Sequence, residues 1–193
     1  MPPKAKFTKE EIVSAAFELV RREGMEALTA RSLGAELISS PRPIFTVFNS
    51  MEEVQAEVIK RGRRLYESYE DREMSGENAF KGSGTGYIRF AADEPKLFQL
   101  LFMKEIKEVP NPHEVLPTID GYYEKILNAV EREYGFDRKT AERLYLNMWL
   151  YSHGIAVSIA TKICTFTKEQ ISDMLTDVCS GLIAKIKREQ KHD

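Results

Sequence analysis

The amino-acid sequence predicts an all-α protein of about nine helices, built as a three-helix helix-turn-helix head and a larger helical bundle. Apolar residues recur three and four positions apart along most of the 193 residues, and no segment alternates apolar and polar residues as a half-buried strand would. Capping boxes open several of these segments, and short stretches containing Gly or Pro separate them. The length fits one domain, or a small domain joined to a larger one.

The first two helices are marked by their caps. Thr8 and Glu11 form a capping box that opens a helix ending at Gly24. Thr29 then caps a second, shorter helix over about 30–37. These local signals place two helices within the first forty residues.

A tight turn at Ile38 and Ser39 separates the second helix from a third. Ser40 is the expected N-cap and Pro41 the first helical residue, which is a preferred opening, and the helix should end near residue 48. Two short helices split by a tight turn are typical of helix-turn-helix proteins, whose last helix enters the major groove of DNA. Three-helix bundles of other function share this pattern, so periodicity alone leaves both interpretations open.

Six further helices are expected in the rest of the chain. Ser50 and Glu53 form another capping box, which opens a helix through about Tyr69. The alternating glycines in 82–86 do not indicate a phosphate loop, because no strand precedes them and the Gly-Lys-Ser/Thr ending is missing. They indicate a helix that packs closely on a neighbour or is locally weak. The other predicted helices cover about 79–92, 93–103, 113–134, 138–163 and 167–188.

Charged residues are unevenly distributed along the chain. There are 28 Lys and Arg against 30 Asp and Glu, and the pI near 6.0 argues at first sight against a nucleic-acid-binding protein. Residues 1–64, however, carry 11 basic and 9 acidic residues (+2), whereas residues 65–193 carry 17 and 21 (−4). The mildly basic first part is compatible with DNA binding through a few placed residues. The composition excludes collagen-like, disulfide-scaffold and disordered proteins.

Several residues near the N-terminus match a known pattern. They are Ile12 to Ala16, Leu19, Gly24, Thr29, Arg31, Leu33, Gly34, Ser40, Ile44, Phe45, Phe48 and Glu52 to Val54. Through them, residues 8–54 resemble the N-terminal domain of the TetR/AcrR family of transcriptional regulators. The segment from Trp149 to Gly154 is similar to a Trp-x-x-x-His-Gly signature in the ligand domain of some of these regulators.

The resemblance implies a helix-turn-helix DNA-binding domain over 1–50 and an effector-binding and dimerisation domain over 51–193. It further implies an Ω-shaped homodimer on a palindromic operator, with a small effector that changes the spacing of the two DNA-binding heads. The function it suggests is a cytoplasmic transcriptional repressor that the effector releases from DNA. The alternatives are a dimeric helical interaction protein with a decayed DNA-binding head, and an enzyme on a helical bundle.

The sequence departs from the family pattern at positions around the expected DNA contact. Ile38 and Ser39 stand where members usually have glycine and a β-branched apolar residue. Phe45 replaces the usual tyrosine and lacks its phosphate-binding hydroxyl, Val47 stands at a frequent histidine or aromatic position, and Met51 replaces the usual lysine. Because phosphate contacts supply much of the affinity and its salt dependence, we expect modest affinity and a shallow salt dependence.

Eight residues are the candidates for DNA contact. Lys4 and Lys6 form a basic N-terminal arm, and Arg42 is the candidate for a two-point hydrogen bond to guanine. The others lie at the start of the second helix or on the third helix, where a solvated surface residue is the alternative interpretation. They are Thr29, Arg31, Ser40, Phe45 and Thr46.

The later helices are rich in aromatic residues at helical spacing. Such stripes belong to a protein core more often than to a ligand site, but apolar cavities with a few polar groups are also how small-molecule sites are built. We expect a small apolar or amphipathic effector there. The candidate effector-binding residues are Phe98, Phe102, Tyr122, Tyr145, Trp149 and His153.

The last two predicted helices carry a long apolar face. Interfaces of obligate dimers resemble a protein core cut in two, so this face predicts a homodimer. An ordinary intramolecular helical bundle is the alternative. The candidate dimer residues are Ile155, Ile159, Ile171, Met174, Leu175, Val178 and Leu182.

We expect no catalytic, metal or cofactor site. The three histidines and the two cysteines have no metal-ligand spacing, and the sequence lacks the two Glu-x-x-His motifs that a di-iron bundle requires. Cys164 and Cys179 are expected to be reduced, packed thiols on helices. The N-terminus has no signal-peptide pattern, and the uncharged stretch 144–161 is too polar for a membrane helix.

Overall fold

The computed structural model describes residues 6–76, 78–105, 108–112 and 114–191. Among these residues, the chain forms nine α-helices and two short 3-10 segments, with no β-strand. The all-α prediction is therefore confirmed. In the same part of the chain, no helix is both long enough and apolar enough to cross a membrane.

The helices follow one another with short connections. The 3-10 segments are Met25–Ala27 and Ile44–Thr46. The α-helices are α1 (Lys9–Glu23), α2 (Ala30–Glu36), α3 (Met51–Met74), α4 (Ala79–Asp93), α5 (Pro95–Phe102), α6 (Val115–Ile119), α7 (Tyr123–Tyr134), α8 (Arg138–Ala160) and α9 (Lys168–Glu189).

Reciprocal capping boxes mark the start of three of these helices. The Thr8 hydroxyl accepts a hydrogen bond from Glu11 N, and the Glu11 carboxylate accepts one from Thr8 N, as predicted. Thr29 forms the same reciprocal pair with Ser32 at the start of α2. A third capping box opens α9. At α3 only half of the predicted box forms, because the Glu53 carboxylate accepts hydrogen bonds from Asn49 instead.

The predicted third helix is wrong, because residues 41–48 form a turn and one 3-10 segment. Ile44 N donates to Pro41 O at 3.0 Å and Thr46 N donates to Pro43 O at 3.2 Å, which are 3-10 hydrogen bonds. The first four N–H groups of an α-helix have no partner within the helix, so the missing N–H groups of Pro41 and Pro43 do not by themselves prevent one. Pro43 instead disfavours the α conformation at the preceding residue, Arg42, at the start of the predicted helix.

Two of the later predicted helices also differ from the structure. The expected helix over 113–134 is split into α6 and α7 by Asp120, Gly121 and Tyr122. Asp-Gly is a turn signal, and the Asp120 side chain accepts a hydrogen bond from Tyr122 N at 2.8 Å, which stabilises the break. Helix α8 ends at Ala160, three residues before the predicted end, and Lys162 follows with a positive φ of 59°.

The chain divides into two compact units. The first contains residues up to Glu67 together with Asp93–Lys104, and the second contains Ser68–Ala92 together with the residues from Glu105. Helix α3 therefore contributes to both units, and α5 belongs to the first unit although it follows α4 in the sequence. The first unit thus extends beyond the first fifty residues.

The first unit has an apolar core between α1, α2, the Ile44–Thr46 segment, α3 and α5. Arg21 on α1 forms a two-point ion pair with Glu94, which is buried and immediately precedes α5. Phe102 packs against Tyr66 with ring centroids 4.9 Å apart. The core includes the buried residues Ile12, Ala16, Val20, Leu33, Ile44, Phe48, Val54, Val58, Leu97 and Phe98.

In the second unit, α4 packs very closely on the end of α3. A Cβ built at Gly82 would lie 3.0 Å from Met74 Cα and still closer to the Glu73 backbone. A Cβ at Gly86 would lie 3.2 Å from Tyr69 O. The close approach predicted from the alternating glycines is therefore confirmed. The core of this unit includes Tyr87, Phe90, Ile126, Leu127, Val130, Leu144, Tyr145, Met148 and Ile155.

Candidate nucleic-acid interface and effector site

The turn after α2 closes tightly onto that helix. Ser39 N donates to Gly34 O at 2.8 Å, and Ile38 N donates to Ala35 O at 3.0 Å. A Cβ at Gly34 would lie 3.1 Å from Ser39 O and from Pro41 N, so the return of the chain requires a small residue there. Ile38 adopts a φ of +48°, a left-handed conformation that β-branched residues rarely adopt.

The 3-10 segment after this turn is held by two buried residues and exposes the residues between them. Ile44 is fully buried and Phe48 is nearly so, and both belong to the core of the first unit. Arg42, Phe45 and Thr46 are exposed, so the 3-10 segment still presents one side to a partner. Ser40, Arg42 and Thr46 were expected on the exposed side of a third helix and are exposed, although residues 41–48 do not form an α-helix.

Seven of the eight candidate DNA-contacting residues are exposed, and Lys4 lies outside the described residues. Three of the seven use their polar groups within the chain. Lys6 Nζ donates to Ser39 Oγ at 3.0 Å, the Thr29 hydroxyl caps α2, and Thr46 Oγ1 donates to Pro43 O at 2.6 Å. The other four are Arg31, Ser40, Arg42 and Phe45.

Carboxylates at the start of α3 limit the positive charge of the first unit. Hydrogen bonds from Asn49 hold the pKa of Glu53 below its usual value, and a hydrogen bond with Ser50 does the same for the pKa of Glu52. Lys9 is paired with Glu57 at 2.8 Å. Ionised carboxylates repel phosphate, so these groups oppose non-specific attraction to DNA.

The second unit contains a buried pairing of a tyrosine with a histidine. The Tyr87 hydroxyl lies 2.8 Å from Nδ1 of His153, and the His153 ring stacks on Trp149 at a centroid distance of 5.2 Å. Burial lowers the pKa of His153, so the neutral imidazole is favoured inside this unit. A Cβ at Gly84 would lie 3.3 Å from Ser152 Oγ, so α4 and α8 are also in close contact here.

Buried acidic groups lie close to the same tyrosines. Asp120 accepts hydrogen bonds from the Tyr145 hydroxyl and from Tyr122 N, and burial raises the pKa of its carboxyl. Burial raises the pKa of Tyr145 and of Tyr87, and the charges of Asp120 and of the fully buried Glu70 raise both further. A carboxyl and a phenol that are costly to ionise are suited to donate and accept hydrogen bonds with a polar ligand group.

The six candidate effector residues do not lie in one compact unit. Phe98 and Phe102 belong to the first unit, where α5 packs on α1 and α3. The other four belong to the second unit, where Tyr145 is buried and the rest are half-buried. They are Tyr122, Tyr145, Trp149 and His153.

Sequence reasoning missed Asp120, Tyr87 and Glu70 as members of the second unit's polar cluster. Asp120 had a detectable signal, because Asp-Gly interrupts an otherwise helical pattern. Tyr87 and Glu70 had none, because their role depends on how α3, α4 and α8 pack.

The candidate dimer residues lie in the second half of α8 and along α9. Ile155 and Leu175 are buried within the single chain, which accounts for part of the apolar face by intramolecular packing of α8 on α9. The others remain half-buried: Ile159, Ile171, Met174, Val178 and Leu182.

The two cysteines occupy different environments from those predicted. Both are free thiols, but Cys164 is exposed in the connection between α8 and α9, and only Cys179 is half-buried on a helix. Within the described residues, no group of three or more His, Cys, Asp and Glu side chains could hold a metal ion.

The chain is similar to a regulator from a bacterium. It is 25% identical over 107 residues to the uncharacterized HTH-type transcriptional regulator YobS of Bacillus subtilis (strain 168), and the match covers 54% of this chain and 56% of the relative. The chain thus spans about half the length of the relative that it matches. No family model matches the sequence. The similarity supports a helix-turn-helix regulator and does not distinguish the TetR/AcrR family from other families.

Proposed function

We propose that this protein is a DNA-binding transcriptional regulator. The observation that carries the proposal is the helix-turn-helix unit, whose α1, α2 and 3-10 segment bury Ile12, Leu33 and Ile44 and expose the candidate DNA-contacting residues. The distant similarity to an HTH-type transcriptional regulator supports it independently.

In this proposal, Arg42 reads a base and the other polar residues orient the head. The Arg42 guanidinium is exposed at the start of the DNA-contacting segment, and two parallel N–H groups can bind O6 and N7 of guanine. Arg31 and Lys6 contact phosphate groups on either side. Phe45 and Met51 leave the head with fewer phosphate donors than a tyrosine and a lysine would, so specificity depends on few contacts.

Two copies of the chain bind DNA together in the proposed mechanism. The half-buried apolar residues of α8 and α9 pair with the same residues of a second copy, so the operator is an inverted repeat. A small apolar or amphipathic effector binds the polar and aromatic cluster of the second unit, around Tyr145, Trp149 and His153. It favours a dimer geometry that does not fit the operator, so the protein acts as a repressor in the cytoplasm.

Selection of DNA sequences by the purified full chain tests this function. A pool of random duplexes is exposed to the protein, the bound fraction is amplified, and the enriched sequences are compared. The proposal predicts an enriched inverted repeat with two identical half-sites. Absence of any enrichment in a preparation that is folded and dimeric would contradict it.

A second candidate is a helical interaction protein that has lost DNA binding. Two observations favour it: the third helix of the head is reduced to one 3-10 segment, and Ile38 is an almost fully exposed apolar residue. The same selection separates the candidates, since this protein would dimerise and enrich no DNA sequence. We propose no catalytic role for either candidate.

A further inference from the structure

Ile38 combines two features that folding alone does not favour. Its φ of +48° is in the left-handed region, which is costly for a β-branched residue, and the residue is 92% exposed to solvent. Because the side chain is exposed, it buries little apolar surface that could offset the cost of this backbone conformation. Strained residues persist where the surrounding structure holds them and are concentrated at functional sites.

Phe45 is the second large apolar residue exposed on the helix-turn-helix unit. It is 46% exposed, whereas its neighbours Ile44 and Phe48 are buried in the core. Thr46 follows it, and because its hydroxyl donates to Pro43 O, that hydroxyl already has a partner within the chain. The turn and the 3-10 segment therefore present mostly hydrocarbon to a partner, together with the hydroxyl of Ser40 and the guanidinium of Arg42.

Two exposed cationic residues lie close to Ile38 and Phe45, one by a contact with the neighbouring Ser39 and one by its place in the chain. Lys6 Nζ binds Ser39 Oγ, the residue next to Ile38, and Arg42 lies between Ile38 and Phe45 in the sequence. An apolar surface close to cations fits a polyanion that also carries apolar groups. The major groove of DNA is such a partner, because phosphates line its edges and each thymine places its 5-methyl group in the groove.

We propose that Ile38 and Phe45 recognise the operator by packing against thymine 5-methyl groups. This inference rests on the proposed function and adds to it the chemistry of base recognition. It makes thymine a required base in each half-site, beside the guanine read by Arg42. A base that keeps the same pairing but lacks the methyl group should then be distinguished from thymine.

Replacement of thymine by deoxyuridine in the operator tests this inference, because only the methyl group is removed. Dissociation constants are measured for the wild type, Ile38→Gly and Phe45→Ala on the selected operator and on versions with one deoxyuridine per half-site. For the wild type, at least one replacement should weaken binding about fourfold per half-site, the effect of burying one methyl group. One of the two variants should bind the thymine and deoxyuridine versions within about twofold of each other at that position.

A matched control removes a different exposed apolar residue. Val109 is 86% exposed in the second unit, so Val109→Ala should keep the full discrimination between thymine and deoxyuridine. Deoxyuridine operators that bind the wild type as tightly as thymine operators would overturn the inference and leave the proposed function standing. The inference would also be overturned if Ile38→Gly and Phe45→Ala both distinguished thymine from deoxyuridine operators as well as the wild type does. A selection that enriches no operator would refute the proposed function and this inference together.

Discussion

At the scale of single residues, the left-handed conformation of Ile38 has a cost that glycine would avoid. An L-residue with a side chain loses roughly 1–2 kcal/mol in this region, and glycine adopts it freely at some cost in chain entropy. Ile38 is exposed, so its removal sacrifices little burial. We therefore predict that Ile38→Gly raises the free energy of unfolding by about 1 kcal/mol in urea titrations.

The loop between α8 and α9, in the second unit, offers a control for this substitution. Ile163 is also exposed but does not have a positive φ, so Ile163→Gly should leave stability unchanged or lower it. If Ile38→Gly lowered stability to the same extent, the strain assigned to Ile38 would be wrong. The expected gain in stability with a loss of thymine recognition would show that the strained residue is kept for binding.

His153 makes stability depend on pH. Burial lowers its pKa in the folded protein below the usual 6.5, so the unfolded chain binds the proton more readily. Stability supplied by the neutral imidazole is present above pH 6.5 and is lost as the pH falls through 6.5 toward the folded-state pKa. We predict that the free energy of unfolding falls less between pH 7 and pH 5 in His153→Asn than in the wild type.

Tyr87→Phe is the matched control for the pH experiment. It removes the hydroxyl that lies beside His153 Nδ1 and leaves the imidazole able to titrate. Its pH dependence should therefore resemble that of the wild type. Asp120 has the opposite effect, because its pKa is raised in the folded protein and its contribution to stability falls as the pH rises from about 3.8. Both variants keep Asp120, so the difference between their pH dependences reports on the histidine. An unchanged pH slope in His153→Asn would contradict the assignment.

At the scale of secondary-structure elements, α4 approaches α3 most closely at Gly82. A Cβ at Gly82 would collide with the backbone of Glu73 and Met74, which cannot move as a flexible side chain can. We predict that Gly82→Ala lowers the free energy of unfolding by about 1–3 kcal/mol, the usual cost of overpacking, in urea titrations.

Gly154 provides the control within the same unit. Nothing lies within 4 Å of a Cβ built there, and the residue is inside α8, so alanine meets no obstacle. Gly154→Ala should raise stability by about 0.5–1 kcal/mol because alanine has the higher helix propensity. Equal effects of the two substitutions would contradict the close packing of α4 on α3.

Which elements could be predicted from the sequence depends on how local their causes are. The starts of α1 and α9 were predictable because Thr8 and Thr167 cap them within a few residues of chain. The third helix was predicted wrongly because Pro41 was taken as a helix start and the restriction that Pro43 places on the preceding residue, Arg42, was not considered. The turn at Asp120 was not predicted because apolar residues recur at helical spacing on both sides of it, which favoured one continuous helix.

The candidate sites show the same limit. Arg42 and Thr46 were expected on the exposed side of the third helix and are exposed, whereas the exposure of Phe45 was not predicted. The hydrogen bond between Tyr145 and Asp120, and the proximity of Tyr87 to His153, arise from the packing of helices far apart in the sequence. Helical periodicity can assign these residues to a buried face but cannot say which of them meet.

At the scale of the whole molecule, the half-buried apolar face of α8 and α9 predicts a homodimer. Sedimentation at micromolar concentration should give about twice the chain mass of 22.1 kDa. Val178 is half-buried in the single chain, and Val178→Glu should shift the mass toward the monomer because a charge in an apolar interface is costly. Val109→Glu, on an exposed residue outside α8 and α9, should remain dimeric. A wild-type mass of 22 kDa would refute the dimer.

The central claim is that the first unit reads DNA through a few placed residues, and Arg42→Ala tests it most directly. Binding of the wild type and the variant is measured on the selected operator, on the same operator with each base pair changed in turn, and on scrambled DNA. We predict that the variant binds the operator about 10- to 100-fold more weakly and loses preference at one position in each half-site, with scrambled DNA affected much less. Equal binding of wild type and variant to the operator and to scrambled DNA would contradict the account.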